Sequence, residues 1–251
     1  MLIRDLLCHT SGLIPKTDRE VPTWDRSELK DVVKSYAAHP LLSEPGETYR
    51  YSNAGINTAG RIVEAVSGVP YEDFMQRNLF GPLHMVDTTY LPSPAQLARL
   101  AKAYVLDPKS GGLKEVQIGP LKHPLDDPTR HPVPAGCFFS DARDLMQFCR
   151  MLLGNGVLDG RRYLTPERIE EMTTKQTPAA IAKPYGFCWD AQGNGVFSHA
   201  GAFITLMTID TRRGYFSIFL IQFGESFTTA EQKHILSEFN RAAKAIAANA
   251  L

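Results

Sequence analysis

Residues 203–223 read FITLMTIDTRRGYFSIFLIQF, and this stretch limits the possible folds more than any other. Two runs rich in β-branched and aromatic residues are parted by the turn Thr211-Arg212-Arg213-Gly214. Asp210, Arg212 and Arg213 break the apolar character, so the stretch is no membrane span. It reads as a buried β-hairpin. The segments YGFCWDA (185–191) and VFSHAGA (196–202) just before it are also β-rich and bounded by turns. An antiparallel sheet of three or four strands is therefore expected in the last third. The 228–250 stretch closes the chain as a helix, with Thr229 and Gln232 at capping-box spacing.

Upstream the period changes to that of helices. In DRSELKDVVKSYAAHP, Leu29, Val32, Val33, Tyr36 and Ala37 recur at helical intervals, with Ser27 as the expected N-cap. AGINTAGRIVEAVSG predicts a helix with Ile56, Ala59, Val63 and Val66 inward and Gly68 as its stop. Pro70 opens the next helix. SDARDLMQFCRMLL predicts a helix capped by Ser140 or Asp141, with Leu145, Phe148 and Leu152 inward. TPERIEEM has Thr165 as cap and Pro166 at the first helical position. Residues 106–136 are rich in Pro and Gly and read as a long surface loop lining a cleft.

Helices packed on an antiparallel sheet define an α+β class rather than a doubly wound sheet. One domain over 1–251 is expected, with a helical lobe over about 14–175 and a sheet lobe over about 185–251 plus the N-terminal run. Lys+Arg and Asp+Glu number 27 each, so nothing in the charge draws the chain to nucleic acid or an anionic membrane. Cys8, Cys137, Cys149 and Cys188 lack metal-ligand or disulfide-framework spacing. Four thiols in or near the core are expected, with no metal and no organic cofactor.

No G-x-S-x-G, G-x-G-x-x-G, P-loop or H-E-x-x-H occurs. Three short islands remain: HTSGL at 9–13, RYSN at 50–53 and SHAGA at 198–202. Tyr51 and Asn53 alternate along an extended segment and so point the same way. Singly, each has an ordinary structural reading. Tyr51 reads as a buried ring, Asn53 as the cap of the next helix, His199 as a strand histidine, and Gly201 as room for close backbone approach.

Their order and surroundings change that weighing. LLCHTSGL, then PGETYRYSNAGINTAGRIVEAVSGVPYEDFMQRNLFGPLHMVDTTY, then PAGCFFSDARDLMQFCRMLLGNGVLDGRRYLTPE, then YGFCWDA and GVFSHAGA resemble the serine β-lactamase-related family. That family contains class C β-lactamases, D-Ala-D-Ala peptidases and β-lactamase-fold esterases. The resemblance runs from Leu2 to about Gln222. It implies a β-lactamase/transpeptidase-like fold and acyl-enzyme chemistry on a small ester, amide, β-lactam or peptide. Tyr51 and Asn53 match the family's Tyr-x-Asn, and His199-Ala200-Gly201 its Lys-Thr-Gly or His-x-Gly strand. By that match Tyr51 is the base or proton relay, Asn53 holds a substrate carbonyl, and His199 bonds the substrate. Gly201 borders the substrate, and the Ala202 N–H is one oxyanion donor. Histidine in place of lysine on that strand weakens a β-lactamase assignment.

One departure is larger. The family's Ser-x-x-Lys lies well before its H-T-S-G-L run, and here that run begins at residue 9. The expectation is that the nucleophile helix and at least one strand lie outside this chain, leaving it inactive by itself. A non-catalytic relative binding peptide or acyl ligands is the alternative. The compartment stays open: cytoplasmic if Met1 is the true start, periplasmic or secreted otherwise. Ser27-Glu28-Leu29-Lys30 matches Ser-x-x-Lys literally, but it follows the H-T-S-G-L run and lies on a charged helix face. Ser11 has no lysine at the required spacing. Both read as structural.

Overall fold

The computed structural model describes residues 1–224 and 230–249. In chain order its helices are α1 (Ile3–Leu7), α2 (Leu29–Tyr36), α3 (Asn53–Ser67), α4 (Tyr71–Met75), α5 (Pro94–Leu97), α6 (Ala142–Leu153), α7 (Pro166–Thr173) and α8 (Ala230–Asn249). The strands are β1 (Ala103–Leu106), β2 (Leu113–Val116), β3 (Val157–Leu158), β4 (Arg161–Arg162), β5 (Asp190–Gly193), β6 (Val196–Gly201), β7 (Thr205–Asp210) and β8 (Tyr215–Leu220).

The C-terminal hairpin is β7–β8, and it lies in a four-stranded antiparallel sheet of order β5-β6-β7-β8. Phe197 stands opposite Ile209, which stands opposite Phe216. One step along the same face, His199 pairs with Met207, and Met207 with Ile218. Phe197 and Ile209 are buried with Trp189 and with Cys149, Met151 and Leu152 of α6. Burial of Phe197 therefore fixes which way His199 points. On the other face Phe219 meets Phe239 of α8, ring centroids 5.0 Å apart.

A second core joins Leu6 and Leu13 to Val32 and Tyr36 of α2 and Ala54 of α3. Here the small residues decide the packing. A Cβ on Gly55 would lie 2.8 Å from the Leu6 carbonyl oxygen, so α1 and α3 meet backbone to backbone. The buried residues of α3 are Ala54, Gly55, Asn57 and Gly60. The expected Ile56-Ala59-Val63-Val66 stripe is thus displaced, and Val66 is 83% exposed. Close backbone approach outweighed the apolar periodicity.

Several helix ends follow the sequence. Gly68 closes α3 at φ 73°, Thr165 Oγ1 accepts the Arg168 N–H, and Asp141 accepts the Asp144 N–H at 2.8 Å. Others differ. Glu28 rather than Ser27 is the N-cap of α2, because the Ser27 hydroxyl donates to the Arg19 carbonyl instead. Pro70 sits at the N-cap of α4, which continues as a π-turn over Gln76–Phe80. In the 106–136 stretch, β1 and β2 form a hairpin closed by the Asp107–Gly112 turn, so only the part beyond Val116 is irregular. In 185–191, strand begins only at Asp190, because Cys188 takes φ 61° and turns the chain. Thr229, on which the expected capping box depends, lies outside the described residues. Among the described residues no helix is long and apolar enough to cross a membrane.

Gly12 carries the H-T-S-G-L turn. It sits at φ 74°, and a Cβ there would lie 2.1 Å from the Ser43 carbonyl oxygen. The left-handed conformation alone costs an L-residue about 1–2 kcal/mol. The displaced backbone would add to it. Gly12→Ala is therefore expected to lower stability by more than about 2 kcal/mol, read as a shift of the urea midpoint. An unchanged midpoint would contradict the turn geometry.

Candidate active site

The segment bearing Tyr51 and Asn53 is held alongside residues 9–12. Leu42 N–H donates to the Gly12 carbonyl, Gly46 N–H to Thr10 and Arg50 N–H to His9, each at 2.8 Å. Ser52 is extended and occupies the N-cap position of α3. Asn53 is consequently the first helical residue instead of the cap, and it lines the cleft.

From the other side β6 and the turn after it bring His199, Gly201 and Ala202 to the same cleft, about 1130 Å³ in volume. All five residues singled out from the sequence line it. The Tyr51 and His199 ring centroids are 6.4 Å apart. Gly201 leaves room for the Thr205 hydroxyl, since a Cβ there would lie 2.3 Å from Thr205 Oγ1 and would force that side chain to turn. Burial holds His199 below its ordinary value, against an Ala200 backbone hydrogen bond and the Asp190 charge, which pull it back. The ring is thus neutral at pH 7. Tyr51 is not the buried ring expected but is 51% exposed at the cleft surface. The partial desolvation it does meet raises its hydroxyl above the ordinary value, with Cys188 adding to the rise. Tyr51 is a phenol here, able to donate a hydrogen bond and unready to act as base.

The walls are apolar, with Phe138, Phe148, Leu206 and Met207 among them. Leu145 and Phe148, expected in the core, are only half-buried because they face this cleft. The 134–139 wall is tied from behind. Asn57 Oδ1 accepts the Ala135 N–H at 3.0 Å, while its amide donates to the Tyr36 hydroxyl, which donates to Glu20 at 2.8 Å. Thr89 and Phe139 form a backbone bridge. These ties join residues far apart in sequence and carry no local signature.

Among the described residues no hydroxyl or thiol lining the cleft hydrogen-bonds a histidine or a lysine, although the Thr88 hydroxyl donates to Asp144 Oδ2 at 2.8 Å. Ser140 Oγ shares a 2.8 Å hydrogen bond with Thr88 Oγ1. The Cys137 thiol, like those of Cys8, Cys149 and Cys188, is pushed up to about 12 by burial. Ser11 is buried, and its hydroxyl accepts the Leu13 N–H in a turn. Lys30 pairs with Glu28 at 2.6 Å on the exposed surface, beside a separate hollow with Arg61 and Glu64. The Ser27/Lys30 pair therefore stays structural. No group of three or more His, Cys, Asp or Glu side chains suited to a metal occurs among the described residues.

An antiparallel sheet flanked by helices, with Tyr-x-Asn and His-x-Gly facing one cleft, defines the β-lactamase/transpeptidase-like class of fold. The Beta-lactamase family profile matches residues 1–237, and the chain belongs to that family. It is 28% identical over 256 residues to an uncharacterized protein of Mycobacterium tuberculosis, covering 88% of this chain and 62% of that one. It is 31% identical over 201 residues to lovastatin esterase of Penicillium rubens, covering 73% and 48%. The chain thus spans 48% to 62% of these relatives' lengths. Its fold matches unliganded simvastatin synthase from Aspergillus terreus with a TM-score of 0.73 at 19% identity, over 99% of this chain and 68% of that one.

Proposed function

We propose that this chain forms the substrate-holding and proton-relay wall of a serine acyl-transfer cleft that hydrolyses a small ester, amide or β-lactam. One observation carries the reading: residues 51–53 and 199–202, some 150 positions apart, line a single apolar cleft. In it Asn53 and His199 hold the substrate, Gly201 borders it, and the Ala202 N–H donates to the carbonyl oxygen as negative charge develops there. Tyr51 passes a proton from the attacking serine to the leaving group. To take that proton the phenol needs a cation beside it. Neither of its imidazole neighbours supplies one, because burial keeps His9 and His199 neutral.

The Ser-x-x-Lys pair is not among the cleft-lining side chains, so the acyl-enzyme step belongs to a protein that carries that pair as well. The 251 residues alone are expected to bind ligand without reacting. Incubation with a fluorophosphonate and with a penicillin should give no stoichiometric adduct by intact mass. An apolar ester should still bind, and Asn53→Ala should weaken that binding about tenfold through the lost hydrogen bond. A stoichiometric adduct would overturn the assignment of the nucleophile. Binding indifferent to Asn53 would overturn the cleft. The same unreactive cleft favours, as second reading, a relative that binds acyl or peptide ligands without catalysis. That reading fails if a protein containing this chain hydrolyses an ester through a serine.

A further inference from the structure

We infer that His9 is a positioning residue for Tyr51, its imidazole serving as the backbone acceptor that fixes the Tyr-x-Asn segment. The inference rests on the reading of Tyr51 as the relay and names what holds it. His9 grips the segment on both sides of Tyr51. Its carbonyl accepts the Arg50 N–H at 2.8 Å, and its Nδ1 accepts the Ser52 N–H at 3.2 Å. Residues 50 and 52 present their N–H groups on one edge of the extended chain, so the imidazole nitrogen stands where a neighbouring strand would offer a carbonyl. The Tyr51 ring then lies against the imidazole, centroids 4.2 Å apart at 37°. Tyr185 at 5.0 Å and Tyr49 at 6.0 Å hold the imidazole plane from other sides.

Two further features suit the role. His9 takes φ 59°, a left-handed conformation uncommon for a side-chain-bearing residue. It is also only 1% exposed, and burial pushes it down to about 4, so Nδ1 stays an unprotonated acceptor at neutral pH. The amide donor assigns the ring proton to Nε2. The buried hydroxyls of Thr10, Ser52 and Tyr185 have no hydrogen-bond partner among the described residues, so none of them shares this load.

The test is NMR of the 251-residue chain with ring-labelled tyrosine, the Tyr51 signal assigned by its loss in Tyr51→Phe. His9→Asn keeps an acceptor oxygen near the Nδ1 position, and His9→Leu keeps none. Expected in His9→Leu are a displaced Tyr51 ring signal and titration midpoint, and Ser52 amide exchange roughly tenfold faster. His9→Asn should restore the Ser52 protection and the midpoint. In the unmodified chain the Tyr51 signal should also move with the His9 ring's own acid midpoint. The other titratable groups facing this cluster are Tyr49, Tyr185, Cys188, His199 and Asp190, so the acid movement must vanish in His9→Asn to belong to His9. Equal behaviour of the Asn and Leu variants, or an acid movement that survives His9→Asn, would overturn the assignment. If His9→Leu does not fold, the comparison of unmodified chain and His9→Asn decides. No turnover is read, so a Tyr51 found dispensable for acyl transfer would sink the functional reading and leave this result standing.

Discussion

Asp25→Ala is expected to cost about 3–5 kcal/mol of stability, because it leaves Arg130 buried and unpaired. Both side chains are fully buried. Arg130 Nε donates to Asp25 Oδ2 at 2.6 Å, and the Lys122 N–H donates to both Asp25 oxygens at 2.9 and 3.2 Å. The Asp25 backbone also takes part, its carbonyl accepting the His131 N–H at 2.8 Å. The guanidinium lies over the Tyr90 and Phe139 rings, 5.0 and 5.7 Å from their centroids. A buried ion pair adds little net stability relative to apolar residues of like size, but loss of one partner exposes the full desolvation cost of the other. Arg130→Met should therefore also destabilise, and Asp25→Leu with Arg130→Met should recover most of the loss. Urea unfolding at constant m-value reads all three. A small effect for the single Asp25 replacement would show that water reaches Arg130. The pair also pins the loop beyond Val116, which supplies Ile118, Leu121 and the 134–139 wall to the cleft, so ligand binding should fall along with stability.

What the sequence disclosed, and what it did not, divides by the range of the interactions. The hairpin β7–β8, the caps at Asp141, Thr165 and Gly68, and the shared direction of Tyr51 and Asn53 follow from neighbours within a turn or a strand step. Those were legible. The α3 stripe departs from its apolar period because Gly55 and Gly60 make room for Leu6 and Pro134, partners that no local period reveals. Ser27 does not cap α2 because the Arg19 carbonyl takes its hydroxyl. Leu145 and Phe148 fit a core period but border a cleft, which is apolar too. The role of His9 has no local signature, since its bond to Ser52 spans 43 positions. The H-T-S-G-L run flagged the place without stating the role. The Asp25–Arg130 pair, 105 positions apart, left no signal at all.

Acid should uncouple the H-T-S-G-L run from the Tyr51 segment, at a stability cost of about 3 kcal/mol attributable to His9 alone. In the unfolded chain this histidine titrates near 6.5, and in the fold burial lowers it to about 4. Above 6.5 both states hold the ring neutral, and the folded arrangement keeps its full stability. Between 6.5 and about 4 the unfolded chain binds a proton that the folded chain refuses, so stability falls as pH falls. The gap corresponds to about 3 kcal/mol. His199, also lowered by burial, works in the same direction. Glu20 and Glu72 oppose it. Burial raises both carboxyls, so their contribution is fully present in acid and lost as pH rises through their folded values. The raw pH profile therefore mixes signs, and the difference between the unmodified chain and His9→Asn isolates the imidazole. Urea unfolding at pH 7 and at pH 4 should show that difference changing by about 3 kcal/mol, in favour of the asparagine variant in acid. A difference constant across that window would mean that His9 takes up its proton in place. The bond from the Ser52 N–H to Nδ1 could then not be what holds the segment.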